Sequence, residues 1–290
     1  MRTLMVVVLV ILIPVSAIHI APSVREAIYE ALRQRELLRV EAATSRWESI
    51  SSEHIELRFK DDAEGARVVL DVAEQELSSV LSDIRVQADT RVLVLVYSTR
   101  EELRDEFGWS ASEDAMGVYF GGVVRVLSPR AWVNSVDIDV LRERFRAEGP
   151  LAHEFTHLVL DELTEGNYPR WFSEGVAQYE EYMVSGYMWI EPGARSQTPF
   201  YSYADLDRGF EDLPDQAKAY RQAFLMVYYL VTQHGWDKVL ALVASLQRGT
   251  GFGAAMQMTY GFREAELSDQ WSTWVSRTVL PPLDLHGGTV

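Results

Sequence analysis

No cysteine occurs anywhere in the 290 residues. That absence excludes disulfides, thiolate metal sites, a cysteine nucleophile and a lipidated N-terminal Cys. Any metal must therefore be held by His, Asp or Glu. Positive charge is scarce as well: 27 basic against 43 acidic residues leave a formal charge of −16. Phosphate backbones would repel such a chain, so nucleic acid is not expected as a partner. Internal repeats and low-complexity tracts are lacking too. The rest of the composition, 48% hydrophobic and 24% charged, belongs to a folded domain and excludes wholesale disorder. At roughly 100–200 residues per domain, one or two domains fit.

Long apolar runs are also missing, with one exception. Arg2 precedes a stretch from Leu4 to Ile20 that only Pro14, Ser16 and His19 interrupt. Residues 1–21 therefore read as a signal peptide, with Val15-Ser16-Ala17 as the cleavage site, or as an uncleaved membrane anchor through residues 4–20. Either reading exports the chain to the cell envelope or beyond.

Residues 22–48 are charged and helical in pattern, as a connecting helix would be. Residues 49–280 are expected to form one catalytic domain, and 281–290 a tail. Within the domain, Ser52–Lys60 alternates as a half-buried strand, Asp62–Ile84 has one apolar helical face, and Arg91–Tyr97 reads as a buried strand. A short helix follows over Thr99–Glu106. Met116–Leu127 is either a third strand or a hairpin turning at Gly121-Gly122. Beyond Pro129 helices dominate, over about 138–146, 149–163, 170–185, 215–234, 236–248 and 263–278. Gly186–Asp207, rich in Tyr, Gly, Pro and Ser, reads as a long loop whose aromatic residues are candidates for a cleft wall. Strands first and helices after describe an α+β fold.

The chemistry concentrates at His153-Glu154-Phe155-Thr156-His157. Residues i and i+4 share a helical face, so both imidazoles can reach one ion. Glu154 lies about 100° around the helix, placed to address a water on that ion without binding it. Two of the six histidines fall in this pattern, which arises at random about once in a hundred chains of this composition. Sixteen residues separate His157 from Glu174, in the run Pro169-Arg170-Trp171-Phe172-Ser173-Glu174-Gly175-Val176. Pro169 suits a helix start, and a helix carrying Glu174 could supply a third, oxygen ligand. Two His and one Glu leave a fourth tetrahedral position open, as catalytic zinc requires.

HEFTHLVLDEL followed by PRWFSEGVAQY resembles the gluzincin metallopeptidases, and in particular the bacterial peptidase-MA-like domains, over about residues 50–278. The resemblance implies a zincin-like, thermolysin-type fold, with a small N-terminal sheet followed by a helical part. It implies one Zn2+ on His153, His157 and Glu174, with Glu154 as general base. It places an acidic residue four positions after the glutamate ligand, where this chain has Gln178; its amide oxygen is expected to accept an imidazole N–H. It also suggests Tyr220 as donor to the oxyanion, and Met116–Leu127 as the edge strand along which a peptide or protein substrate lies. Two rivals stand beside a peptidase: a silent binding or scaffold protein on the same fold, and a zinc hydrolase of a non-peptide amide. Nothing in the sequence sets the oligomeric state.

Overall fold

The computed structural model describes residues 22–87, 91–111, 115–187 and 200–278. The expected leader (1–21), the expected tail (281–290) and Trp189 of the aromatic loop lie outside the described residues. Eleven α-helices and five strands occur among the described residues. They form two compact units, one within residues 23–159 and one from residue 160 onward. The structure is thus a mixed α+β fold with a small sheet and many helices.

The first unit is built on a five-stranded sheet of order β1-β2-β3-β5-β4. Its strands are β1 (Glu48–Ser51), β2 (Ile55–Phe59), β3 (Val92–Tyr97), β4 (Gly117–Phe120) and β5 (Val123–Leu127). β2, β3 and β5 run parallel, with Val94 paired to both Leu57 and Val124, while β1 and β4 pair antiparallel to their neighbours. Strict alternation buries Ile55, Leu57 and Phe59. β3 and β5 are buried almost throughout, as interior parallel strands are. β4 and β5 form the hairpin: Gly121 and Gly122 both have positive φ, +59° and +86°, which a two-residue type I′ turn requires.

Helix α2 (Ala63–Ile84) buries Val68, Val69, Val72, Leu77 and Val80 against the sheet. The Asp62 carboxylate caps its start by accepting from Gly65 N–H at 2.9 Å, and Arg85 ends it in the left-handed region. The connecting helix is α1 (Pro22–Ala43). Its Glu36 and Arg33 lie over the hairpin turn, where a side chain on Gly121 or Gly122 would collide with them. Helices α3 (Arg100–Phe107) and α4 (Ile138–Glu148) complete this unit up to α5 (Leu151–Thr164).

The second unit is helical: α6 (Arg170–Ser185), α7 (Tyr203–Gly209), α8 (Gln216–His234), α9 (Trp236–Gln247), α10 (Phe252–Tyr260) and α11 (Glu264–Arg277). Helices α6 and α8 make the most extensive contact. A Cβ on Gly175 would sit 2.4 Å from the Ala223 carbonyl oxygen and 2.6 Å from Val227 Cγ2, so glycine there sets how closely the two helices approach. The loop aromatics pack inward: Phe200 lies 4.5 Å from Trp271, and Tyr203 6.1 Å from Trp171, between ring centroids. Phe200 and Tyr203 thus contribute to the packing of this unit. No helix among the described residues is long and apolar enough to cross a membrane.

Candidate metal centre

Helix α5 carries His153 and His157 one turn apart, as the 3.6-residue period dictates, with Glu154 next to His153, and all three are fully buried. The two imidazole rings meet edge to face with centroids 4.8 Å apart. Helix α6 carries Glu174, also fully buried. One ligand atom from each of His153, His157 and Glu174 lies within 4.8 Å of the other two. Two imidazole nitrogens and a carboxylate oxygen at such spacing, shielded from water, form a donor set that suits a zinc ion.

Glu154 is held by a donor that has no side-chain identity. Its Oε2 accepts the backbone N–H of Tyr119 at 2.6 Å. Tyr119 belongs to β4, the edge strand, and this N–H points away from β5. The strand reaches Glu154 because Gly117 lacks a side chain. A Cβ there would meet Pro150 Cγ at 2.6 Å and Glu154 Cγ at 3.0 Å. Within Met116–Leu127, β4 forms the sheet edge and β5 lies inside.

Around Glu174 the structure adds two residues that sequence reasoning overlooked. The buried Arg170 guanidinium lies 2.6 Å from Glu174 Oε1, one turn along α6, and 2.7 Å from Glu211 Oε1. Burial alone would lower the Arg170 pKa, but the charges of Glu174 and Glu211 outweigh it and hold the group above its ordinary value. Burial raises the Glu211 carboxyl against the pull of Arg170. The i, i+4 spacing of Arg170 and Glu174 was readable in the sequence. Glu211, far along the chain in the Phe210–Asp212 turn, carried no signal.

Tyr220 is buried near the start of α8, beside Arg170 and Glu174, with its ring 5.2 Å from Phe210. Burial first, and then the Glu174 charge, push its hydroxyl well above the usual phenol range, so it keeps its proton. Gln178 does something other than expected. Its amide Nε2 donates to the Glu174 carbonyl at 3.1 Å and the Tyr220 carbonyl at 2.9 Å. Its oxygen accepts no hydrogen bond among the described residues. The physical reason is position: Gln178 lies on the α6 face turned to α8, where it crosslinks backbones.

Comparison with known proteins adds the following. No protein of curated function matches this chain. Among solved structures, it is similar to an M1 zinc metallopeptidase from Deinococcus radiodurans, at 17% identity and a TM-score of 0.43. A mutant of that enzyme bound to a Tyr-Ser-Ala substrate is similar at 16% identity and 0.42. In both cases 81% of this chain is covered but 52% of the other, so the chain spans about half the length of these structures. The model of the Peptidase MA superfamily matches residues 72–277, a span that contains the three converging residues and Glu154, and the chain belongs to that superfamily.

Proposed function

We propose that this protein is a zinc-dependent metallopeptidase of the gluzincin type, with a thermolysin-like catalytic fold. The convergence of His153, His157 and Glu174 within 4.8 Å carries the proposal. These three residues would hold the ion. Bound there, zinc supplies Lewis acidity, acidifying water and polarising the scissile carbonyl. Glu154 acts as general base. With Oε2 fixed by the Tyr119 N–H, its Oε1 takes the proton of the attacking water and returns it to the leaving amine. Tyr220, protonated at working pH, is assigned as the donor to the oxyanion. Substrates are peptides or proteins, lying along the β4 edge by strand addition. The apolar run from Leu4 to Ile20 behind Arg2 supports reading residues 1–21 as a leader, and with it action in the cell envelope or outside it.

The test uses the full chain. Elemental analysis should find one zinc per chain, lost in the His153→Ala/His157→Ala double variant. Glu154→Gln should retain zinc yet lose hydrolysis of a peptide library by roughly 10²–10⁴-fold. Zinc retention without any hydrolysis by the unaltered chain would favour a binding protein, and activity unchanged in Glu154→Gln would end the proposal. A chromogenic amide that is not a peptide, cleaved in preference to the library, would point to the other hydrolase class.

A further inference from the structure

Tyr220 packs against a turn that a single side chain gathers. The turn is Phe210–Asp212, between α7 and α8. Carbonyls at the end of a helical segment lack partners within that segment. Gln216, the first residue of α8, supplies them: its amide Nε2 donates to the carbonyls of Phe210 at 2.9 Å, Glu211 at 3.0 Å and Leu213 at 2.9 Å. Two N–H groups serve three acceptors, so one N–H is shared. Tyr220 follows four residues later and lies on the same face of α8 as Gln216. The gathered turn therefore lies over both. Phe210 is its inward residue, buried, and meets the Tyr220 ring edge to face with centroids 5.2 Å apart. Glu211 and Asp212 are exposed, so the outer side of the turn borders water.

The other end of this segment is clamped to α8 as well. Gln222, buried two residues beyond Tyr220, accepts the Tyr201 N–H through Oε1 and donates to the Tyr201 carbonyl through Nε2, both at 2.9 Å. The segment from Tyr201 to Leu213 is thus tied to α8 by two glutamines that flank Tyr220 in sequence. We infer that Gln216 is a positioning residue: by fixing the backbone of Phe210–Leu213 it sets the Phe210 ring, and through that ring the direction of the Tyr220 hydroxyl. The inference rests on the peptidase reading above, in which that hydroxyl donates to the oxyanion. Such a donor works by being aimed in advance, and a misplacement of about 1 Å costs about 10²-fold in rate. The turn also brings Glu211 to within 2.7 Å of Arg170, a second route to the centre that the variants below separate from the first.

Gln216→Glu keeps the size of the side chain, and an acid at a helix N-terminus favours α8, but it puts an acceptor where three carbonyls need a donor. In the full chain, with the library peptide that the unaltered protein cleaves fastest, kcat should fall about tenfold with KM unchanged and one zinc retained. Tyr220→Phe should lower kcat about a hundredfold. Gln216→Glu should then add nothing to it, because both changes act through one hydroxyl. A further tenfold loss in the Tyr220→Phe background would route the effect elsewhere, as through Glu211 and Arg170, and would overturn the inference. Full activity in either single variant does the same. A second readout needs no turnover: with 3-fluorotyrosine in place of Tyr220, fluorine NMR should show one sharp resonance that Gln216→Glu splits or broadens, and an unchanged spectrum ends the inference. Failure of the peptidase reading looks different. Neither the unaltered chain nor any variant would then hydrolyse the library, and the fluorine spectra alone would decide whether Gln216 sets the ring.

Discussion

Arg125 and Arg170 both bring a shielded guanidinium between carboxylates, and they do different work. In the first unit, Arg125 on β5 is fully buried. It donates to the Phe120 and Val123 carbonyls at 3.2 Å each and to the Glu36 carboxylate, and its Nε lies 3.6 Å from Glu106. Arg39 adds bonds to Glu36 at 2.8 Å and to Glu106 at 2.5 Å. The cluster closes the hairpin turn and latches α1 and α3 to it. In the second unit, Arg170 pairs with Glu174 and Glu211, and Glu174 also converges with His153 and His157 in the candidate metal centre. Burial and charge pairing are alike in the two places. The difference lies in whether the acid has a second function: Glu36 is consumed by its arginines, whereas Glu174 would be shared with the metal in the proposed centre.

The largest effect that would break this comparison is on stability. Arg125→Ala leaves Glu36 with Arg39 as its one remaining counter-charge and leaves the Phe120 and Val123 carbonyls without their guanidinium donor, and should cost about 3–5 kcal/mol in denaturant unfolding. Zinc should leave that cost unchanged. The cost of Arg170→Met should shrink on saturation with zinc, because the dication takes over neutralising Glu174; equal penalties with and without zinc would erase the distinction. A smaller effect is expected from Gly175→Ala. Its methyl group has no room against the Ala223 carbonyl and Val227, so α6 must move from α8, at about 1–3 kcal/mol. Zinc affinity should fall with it, since Glu174 is the adjacent residue. The smallest effect concerns pH. Burial raises the Glu36 pKa, but the Arg39 hydrogen bond and the Arg125 charge outweigh this and hold it below its ordinary value. A depressed folded pKa means stability that is complete above the unfolded carboxylate range of about 4.3 and is lost as pH falls through the folded value. Urea midpoints measured below pH 5 should therefore decline less steeply in Glu36→Gln than in the natural protein.

Legibility in the sequence followed locality. His153, Glu154 and His157 were readable because one helix carries all three and its period fixes their directions. Glu174 was readable through its own motif, and the hairpin through Gly121-Gly122. Most helix limits came out within a few residues for the same reason. What escaped was non-local or featureless. The Tyr119 N–H that holds Glu154 is a backbone group, which every residue but proline has. Strand β1 is largely exposed, so it has no apolar face to announce it. Helix α7 hides in a stretch rich in Tyr, Ser and Asp, although its Ser202–Asp205 capping box is a legible start signal. Helix α10 sits between Gly251 and Gly261 with few polar residues to mark a face. Glu211 met Arg170 through tertiary folding alone.

Replacing glycine by alanine ordinarily stabilises a protein by about 0.4–1 kcal/mol, because the unfolded chain has fewer conformations to lose. Gly117 has an unremarkable backbone, with no positive φ to forbid that exchange. Yet Pro150 and Glu154 already fill the space the methyl group would take. A search for heat-resistant variants would be drawn to this position by backbone logic and repelled by it in practice. The distance between the sheet edge and the proposed base is set by a missing atom, so this part of the centre can be degraded by substitution but not tightened.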